Sequence, residues 1–132
     1  MNSFMRVRGI LETCLYAGDL RAAEDFYATV LGLEVIGRLE GRHVFFRCGD
    51  RVFLVFNPAK TREVGTELPP HGTDGQGHGA FSIKEKELSI WRTHLEQHGV
   101  AIEREITWPN GGRSIYFRDP AGNSIELASP KI

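Results

Sequence analysis

Three ionisable side chains stand in segments that otherwise read as interior strands. They are Glu12 in Leu11-Glu-Thr-Cys-Leu-Tyr16, His78 in Gly77-His-Gly-Ala-Phe-Ser-Ile83, and Glu126 in Ser124-Ile-Glu-Leu-Ala128. One imidazole and two carboxylates are competent ligands for a divalent cation, and a carboxylate can also move a proton as a general base. Strand side chains alternate between faces. Glu12, Cys14 and Tyr16 therefore oppose Leu11, Thr13 and Leu15. In the same way His78, Ala80 and Ser82 oppose Gly79, Phe81 and Ile83, and Ser124, Glu126 and Ala128 oppose Ile125 and Leu127. Each strand thus offers one metal-capable group on its polar or small-residue side. Each group alone has an ordinary alternative, a hydrogen-bonded strand-end histidine or a solvated carboxylate. Carboxylates buried without a partner are costly, and a cation would satisfy them.

The elements that must position these groups form an internal repeat. The first half reads as a strand over 10–16, then Asp19 as an N-cap and an apolar stripe Leu20, Ala23, Phe26, Tyr27, Val30, Leu31, which predicts one helix closed by Gly32. Strands follow at 33–38, 43–48 and 51–57, separated by Glu40-Gly41 and Gly49-Asp50. The second half has a strand over 78–83, a helix striped by Leu88, Trp91 and Leu95 that stops at Gly99, and strands at 100–107, 113–118 and 124–128. Gly32 follows Glu12 by 20 residues and Gly99 follows His78 by 21, so Glu12 and His78 hold matching places in two copies of a βαβββ unit. The fold class expected is α+β: two βαβββ modules paired into a curved, cleft-forming mixed sheet. Module one covers about 9–57, a Gly/Pro/Thr-rich connector about 58–76 and module two about 77–128, within one domain of 132 residues.

Composition excludes several function classes. A net charge of −1 without any Lys/Arg run gives no case for nucleic acid or an anionic membrane. Apolar runs such as Val52-Phe-Leu-Val-Phe56 are strand-length, and the N-terminus lacks a signal-peptide core. Two cysteines, Cys14 and Cys48, form no disulfide framework, so a cytoplasmic protein is expected.

The stretch LETCLYAGDLRAAEDFYATVLGLEV resembles the opening of the vicinal oxygen chelate superfamily, the glyoxalase, bleomycin-resistance and extradiol dioxygenase proteins. GHGAFSI and YFRDPAGNSIEL are similar to that family's second ligand strand and its Asp-Pro-x-Gly-Asn turn before a ligand Glu, and the likeness covers roughly 9–128. It implies Glu12, His78 and Glu126 as ligands of a divalent metal (Zn, Ni, Mn or Fe), with Glu12 where His or Gln is usual. It also implies a fourth-ligand strand that here carries Phe53, which cannot coordinate. The activity implied is a lyase or isomerase step, in which a Glu removes a proton beside a metal-bound carbonyl and the cation stabilises the enediolate. The alternatives are an extradiol-type ring-cleaving dioxygenase, whose usual two-His, one-carboxylate set Glu12 departs from, and a metal-free antibiotic-binding protein.

Further candidates complete the expected site. Tyr116 lies ten residues before Glu126, where fosfomycin-resistance proteins place a pocket tyrosine, and it shares a face with Ser114 and Arg118. Arg118 is a candidate for an anionic substrate, with a turn salt bridge as its alternative; Trp108 sits beside a Gly/Pro-rich loop. Phe45, Phe53 and Val55 are expected to make an apolar cleft wall for a small-molecule substrate. A homodimer is expected, with module pairing left open between one chain and an exchange of modules between two.

Overall fold

A computed structural model describes residues 5–130. Strand β1 (Glu12–Tyr16) leads into α1 (Leu20–Asp25), which runs directly into a π-helical turn (Phe26–Val30). Then come β2 (Glu34–Leu39), β3 (His43–Cys48), β4 (Arg51–Phe56) and a single turn of helix, α2 (Pro58–Thr61). The second half contains β5 (His78–Ser82), a 3₁₀ turn (Glu85–Glu87), α3 (Leu88–Gln97), β6 (Arg104–Thr107), β7 (Arg113–Arg118) and β8 (Ser124–Ser129). Two four-stranded mixed sheets result, ordered β1-β4-β3-β2 and β5-β8-β7-β6. In each, the first strand pairs in parallel with the last and the remaining pairs are antiparallel, so the two sheets have the same topology.

Local chemistry explains the helix ends. Asp19 accepts a hydrogen bond from the Ala22 amide at 3.0 Å, as an N-cap should. Gly99 takes φ +71°, and the Val100 amide reaches back to the Leu95 carbonyl at 2.9 Å, closing α3 by a Schellman turn. That turn spends Val100 on capping, so β6 starts at Arg104 rather than at 100 as the apolar pattern suggested. The first helix is not uniform either. The Leu31 amide bonds to the Phe26 carbonyl, five residues back, and within this widened turn Phe26, Tyr27 and Val30 are all buried.

One face of each sheet packs on its helix. Val44 and Phe46 of β3, Phe53 and Val55 of β4, Ile115 and Phe117 of β7, and Ile125 and Leu127 of β8 belong to a single buried cluster with Leu15, Tyr27 and Leu95. The modules join within this cluster. Leu15 of β1 lies against the backbone of the strand that opens module two, and a Cβ at Gly77 would stand 2.9 Å from Leu15 Cδ2. Glycine at 77 therefore admits Leu15, while alternation turns the side chain of His78 to the opposite face.

The Asp-Pro-Ala-Gly-Asn turn is the polar clasp of the same junction. Buried Asp119 accepts from the Tyr27 hydroxyl at 2.6 Å, from the amides of Ala121 and Asn123, and from the Asn123 side chain. Asn123 also donates to the Tyr16 carbonyl and accepts from the Gly77 amide. Burial, followed by the charge of Asp119, pushes the Tyr27 phenol well above its ordinary range, so it remains a donor. Every donor and acceptor in this clasp is matched, which is what a buried polar knot needs. No helix among the described residues is long and apolar enough to cross a membrane.

Candidate metal and substrate site

Glu126 occupies the middle of β8, flanked by Ala80 of β5 on one side and Tyr116 of β7 on the other. Its neighbours Ile125 and Leu127 bury against α3, so its own side chain emerges on the face away from the helix, yet the residue is only 9% exposed. The Trp108 indole N–H donates to Ser114 Oγ at 2.8 Å, and the Ser114 hydroxyl stands 2.5 Å from Glu126 Oε2. An indole nitrogen can only donate, so the serine proton is directed at the carboxylate. Oε2 is thereby committed to Ser114, the Tyr116 hydroxyl also hydrogen-bonds to the carboxylate, and Oε1 stands on the side of His78.

Oε1 faces His78. Its Nδ1 lies 3.0 Å from the Ser124 carbonyl oxygen, which can only accept, so Nδ1 carries the ring proton. In the neutral ring Nε2 is then a lone pair, 3.4 Å from Glu126 Oε1. Two acceptors aimed at one small space repel unless a proton or a cation sits between them. Imidazole nitrogen and carboxylate oxygen, each oriented by a hydrogen bond at its far atom, are donor types that divalent transition ions take, and one chain brings two of them together.

Tyr116 is in register with Glu126, and its ring is stacked near His78 at 6.3 Å between centroids. Burial, then the Glu126 charge, raises the Tyr116 phenol above its ordinary value, so it keeps its proton at neutral pH. Arg118 begins already engaged. Its guanidinium bonds to Glu103 at 3.0 Å and to the Gly122 carbonyl and Gln76, which is the turn role rather than that of a free anion receptor. Ser114 was visible in the sequence only as a face-mate of Tyr116. Its bond to Glu126 follows from the β7–β8 register, which no local signal announces.

Three expectations change. Glu12 is exposed on the open face of β1, and among the described residues no group of three or more His, Cys, Asp or Glu side chains is placed to hold a metal. A single chain thus gathers His78 and Glu126 but not Glu12. Phe53 does not line a cleft: it is paired with Phe46 across β3–β4 and buried on the helix side, its ring 4.9 Å from that of Tyr27. Val55 is buried beside it. On β4 the residues that share the face of Glu12 are Val52, Leu54 and Phe56, so the apolar neighbours of Glu12 are Val52 and Leu54. Phe45 does lie on that open face, stacked on His43 at 4.0 Å.

The profile of the Glyoxalase/Bleomycin resistance protein/Dioxygenase superfamily matches residues 9–127. Glutathione transferase FosA of Serratia marcescens is 32% identical over 114 residues, 86% of this chain and 74% of that protein. Lactoylglutathione lyase of Escherichia coli O157:H7 is 28% identical over 129 residues, 92% of this chain and 93% of that protein. The crystal structure of lactoylglutathione lyase from Agrobacterium tumefaciens superposes with a TM-score of 0.91 at 42% identity, covering 96% of this chain and 97% of that one. With its duplicated βαβββ sheets and this match over nearly its whole length, the chain belongs to the Glyoxalase/Bleomycin resistance protein/Dioxygenase superfamily.

Proposed function

We propose that the protein is a metal-dependent small-molecule enzyme, a lyase or isomerase, whose site is completed between two copies of the chain. His78 and Glu126 of one copy and Glu12 of the other hold the cation. The observation that carries this reading is the pair His78 Nε2 and Glu126 Oε1, 3.4 Å apart, in two groups whose other ends are each held by a hydrogen bond. Supporting the second copy, Val7, Ile10 and Leu11 stand exposed immediately before Glu12, an apolar strip that a partner would cover. A cation here supplies Lewis-acid polarisation of a substrate carbonyl and stabilises the negative charge that develops on it. Glu12 or Glu126 takes the proton next to that carbonyl, and the Tyr116 phenol, held protonated, donates to a substrate oxygen.

A relative such as the catechol-2,3-dioxygenase of Bacillus subtilis, 29% identical over 113 residues, keeps ring cleavage as the second reading. The carboxylate at position 12 disfavours it, because that chemistry rests on two imidazoles and one carboxylate. Metal titration of chelator-treated protein, read by elemental analysis, tests the proposal. About one tightly held ion per chain is expected, with proton exchange on a hemithioacetal substrate. Absence of tight binding points to a metal-free binding protein, and oxygen uptake on a catechol with Fe²⁺ points to the dioxygenase.

A further inference from the structure

The hairpin between β6 and β7 returns one aromatic side chain to the open face of the second sheet. Ile106 pairs with Ser114, so the two share that face. Trp108, just past the end of β6, bends its indole back to the same serine. The loop that carries it is closed by its own backbone. The Trp108 amide donates to the Gly112 carbonyl at 2.7 Å, and the Gly111 amide to the Trp108 carbonyl at 2.9 Å. The Gly112 amide donates to the Asn110 side-chain oxygen at 2.9 Å, and Gly111 meets the turn with φ +89°. Trp108 is therefore held from its backbone side, and it is 41% exposed. Even so, its nitrogen is turned inward, onto Ser114 Oγ at 2.8 Å.

An indole this exposed could give its N–H to water, so its engagement with a buried hydroxyl has a consequence further in. A serine oxygen carries one proton and two lone pairs. The indole takes a lone pair, and the proton goes to Glu126 Oε2, 2.5 Å away, in a place where both Ser114 and Glu126 are buried. Donor follows donor along this chain, and each bond polarises the next. We propose that Trp108 is a positioning residue for Glu126: its N–H fixes the direction of the Ser114 hydroxyl, which in turn holds the carboxylate with Oε1 toward His78. This role rests on Glu126 acting as a metal ligand. It gives the β6–β7 loop, which supplies no ligand itself, control over how tightly the cation is held.

Two substitutions separate the donor from the bulk of the ring. Trp108→Phe keeps an aromatic ring and deletes the N–H. Trp108→His loses the benzo ring and keeps a five-membered ring whose Nε2 falls where the indole nitrogen stands. In competition titrations with Zn²⁺, Trp108→Phe is expected to bind about threefold to tenfold more weakly than the parent, a smaller loss than for an immediate orienting partner. Trp108→His is expected to stay within about twofold at unchanged stoichiometry. The reverse order makes ring packing the operative property and overturns the proposal. A second readout needs no metal: the indole N–H resonance of Trp108, with Trp91, the chain's other tryptophan, as internal reference. Ser114→Ala and Glu126→Gln should each move the Trp108 resonance far more than that of Trp91. Added Zn²⁺ should move it in the parent and not in Ser114→Ala. A folded Trp108→Phe protein with parental Zn²⁺ affinity, or a Trp108 resonance indifferent to Glu126→Gln, overturns the proposal. A parent protein that binds no Zn²⁺, yet whose Trp108 resonance responds to Glu126→Gln, upholds the positioning of Glu126 and defeats only the metal reading.

Discussion

Replacing Ser114 by Ala removes one hydroxyl and breaks two bonds at once. Ser114 is buried, accepts from Trp108 at 2.8 Å and lies 2.5 Å from Glu126 Oε2. Hydrogen bonds to charged groups are worth about 1.5–3 kcal/mol net. Loss of the donor to a buried carboxylate should therefore destabilise the metal-free protein by about 2 kcal/mol, roughly 6–10 °C in melting temperature for a chain of this size. The larger consequence is for the metal. Without its serine, Glu126 can turn Oε2 outward and no longer presents one fixed oxygen beside His78. Loss of such an orienting partner costs about 10–100-fold in metal affinity, or about 1.4–2.7 kcal/mol. The assay is competition titration of Zn²⁺ against a chromophoric chelator, with melting curves of the metal-free proteins alongside. Ser114→Thr, which keeps the hydroxyl, should retain the parent affinity more closely than Ser114→Ala. An alanine variant with unchanged melting temperature and metal affinity within about twofold of the parent would refute the reasoning.

The junction gives two more stability predictions. Tyr27→Phe deletes the 2.6 Å bond to Asp119 without emptying the ring's space and should cost about 1.5–3 kcal/mol by urea unfolding; a smaller loss than about 0.5 kcal/mol would mean that the clasp carries no load. Gly77→Ala puts a methyl 2.9 Å from Leu15 Cδ2 and should cost about 1–3 kcal/mol by the same measurement. Burial raises both thiols, Cys14 and Cys48, above their ordinary pKa. The thiolate fraction is therefore smaller than that of a free cysteine at neutral pH and grows only at more alkaline pH, so alkylation followed by mass spectrometry should be slow near pH 7 and accelerate as pH rises.

Much of the fold could be read from the sequence because each module punctuates itself. Asp19, Gly32 and Gly99 set helix boundaries through capping chemistry that is local, and period-two alternation in 78–83 and 124–128 separates a polar from an apolar set. The same logic fails on β4. Arg51-Val-Phe-Leu-Val-Phe56 is apolar at every position after the first, so alternation carries no information, and its facing is decided by the pairing of Phe53 with Phe46. The π turn at Phe26–Val30 was equally invisible, since the apolar stripe fits an α-helix as well. At the site, residue types could be read but partnerships could not. Ser114–Glu126 and Trp108–Ser114 arise from strand register and loop placement, and the sequence does not show that one chain leaves Glu12 apart from His78 and Glu126.

The central claim is that Glu12 serves a site whose other two ligands belong to a second copy. Glu12→Gln and Glu126→Gln chains, each expected to bind Zn²⁺ weakly alone, can be unfolded together and refolded as a mixture. In a dimer with exchanged ligands, each mixed pair contains one doubly damaged site and one intact site. Random mixing should then restore tight binding at about a quarter of all sites, seen as a stoichiometric tight phase in the titration. A mixture that binds no better than either parent variant would contradict the account.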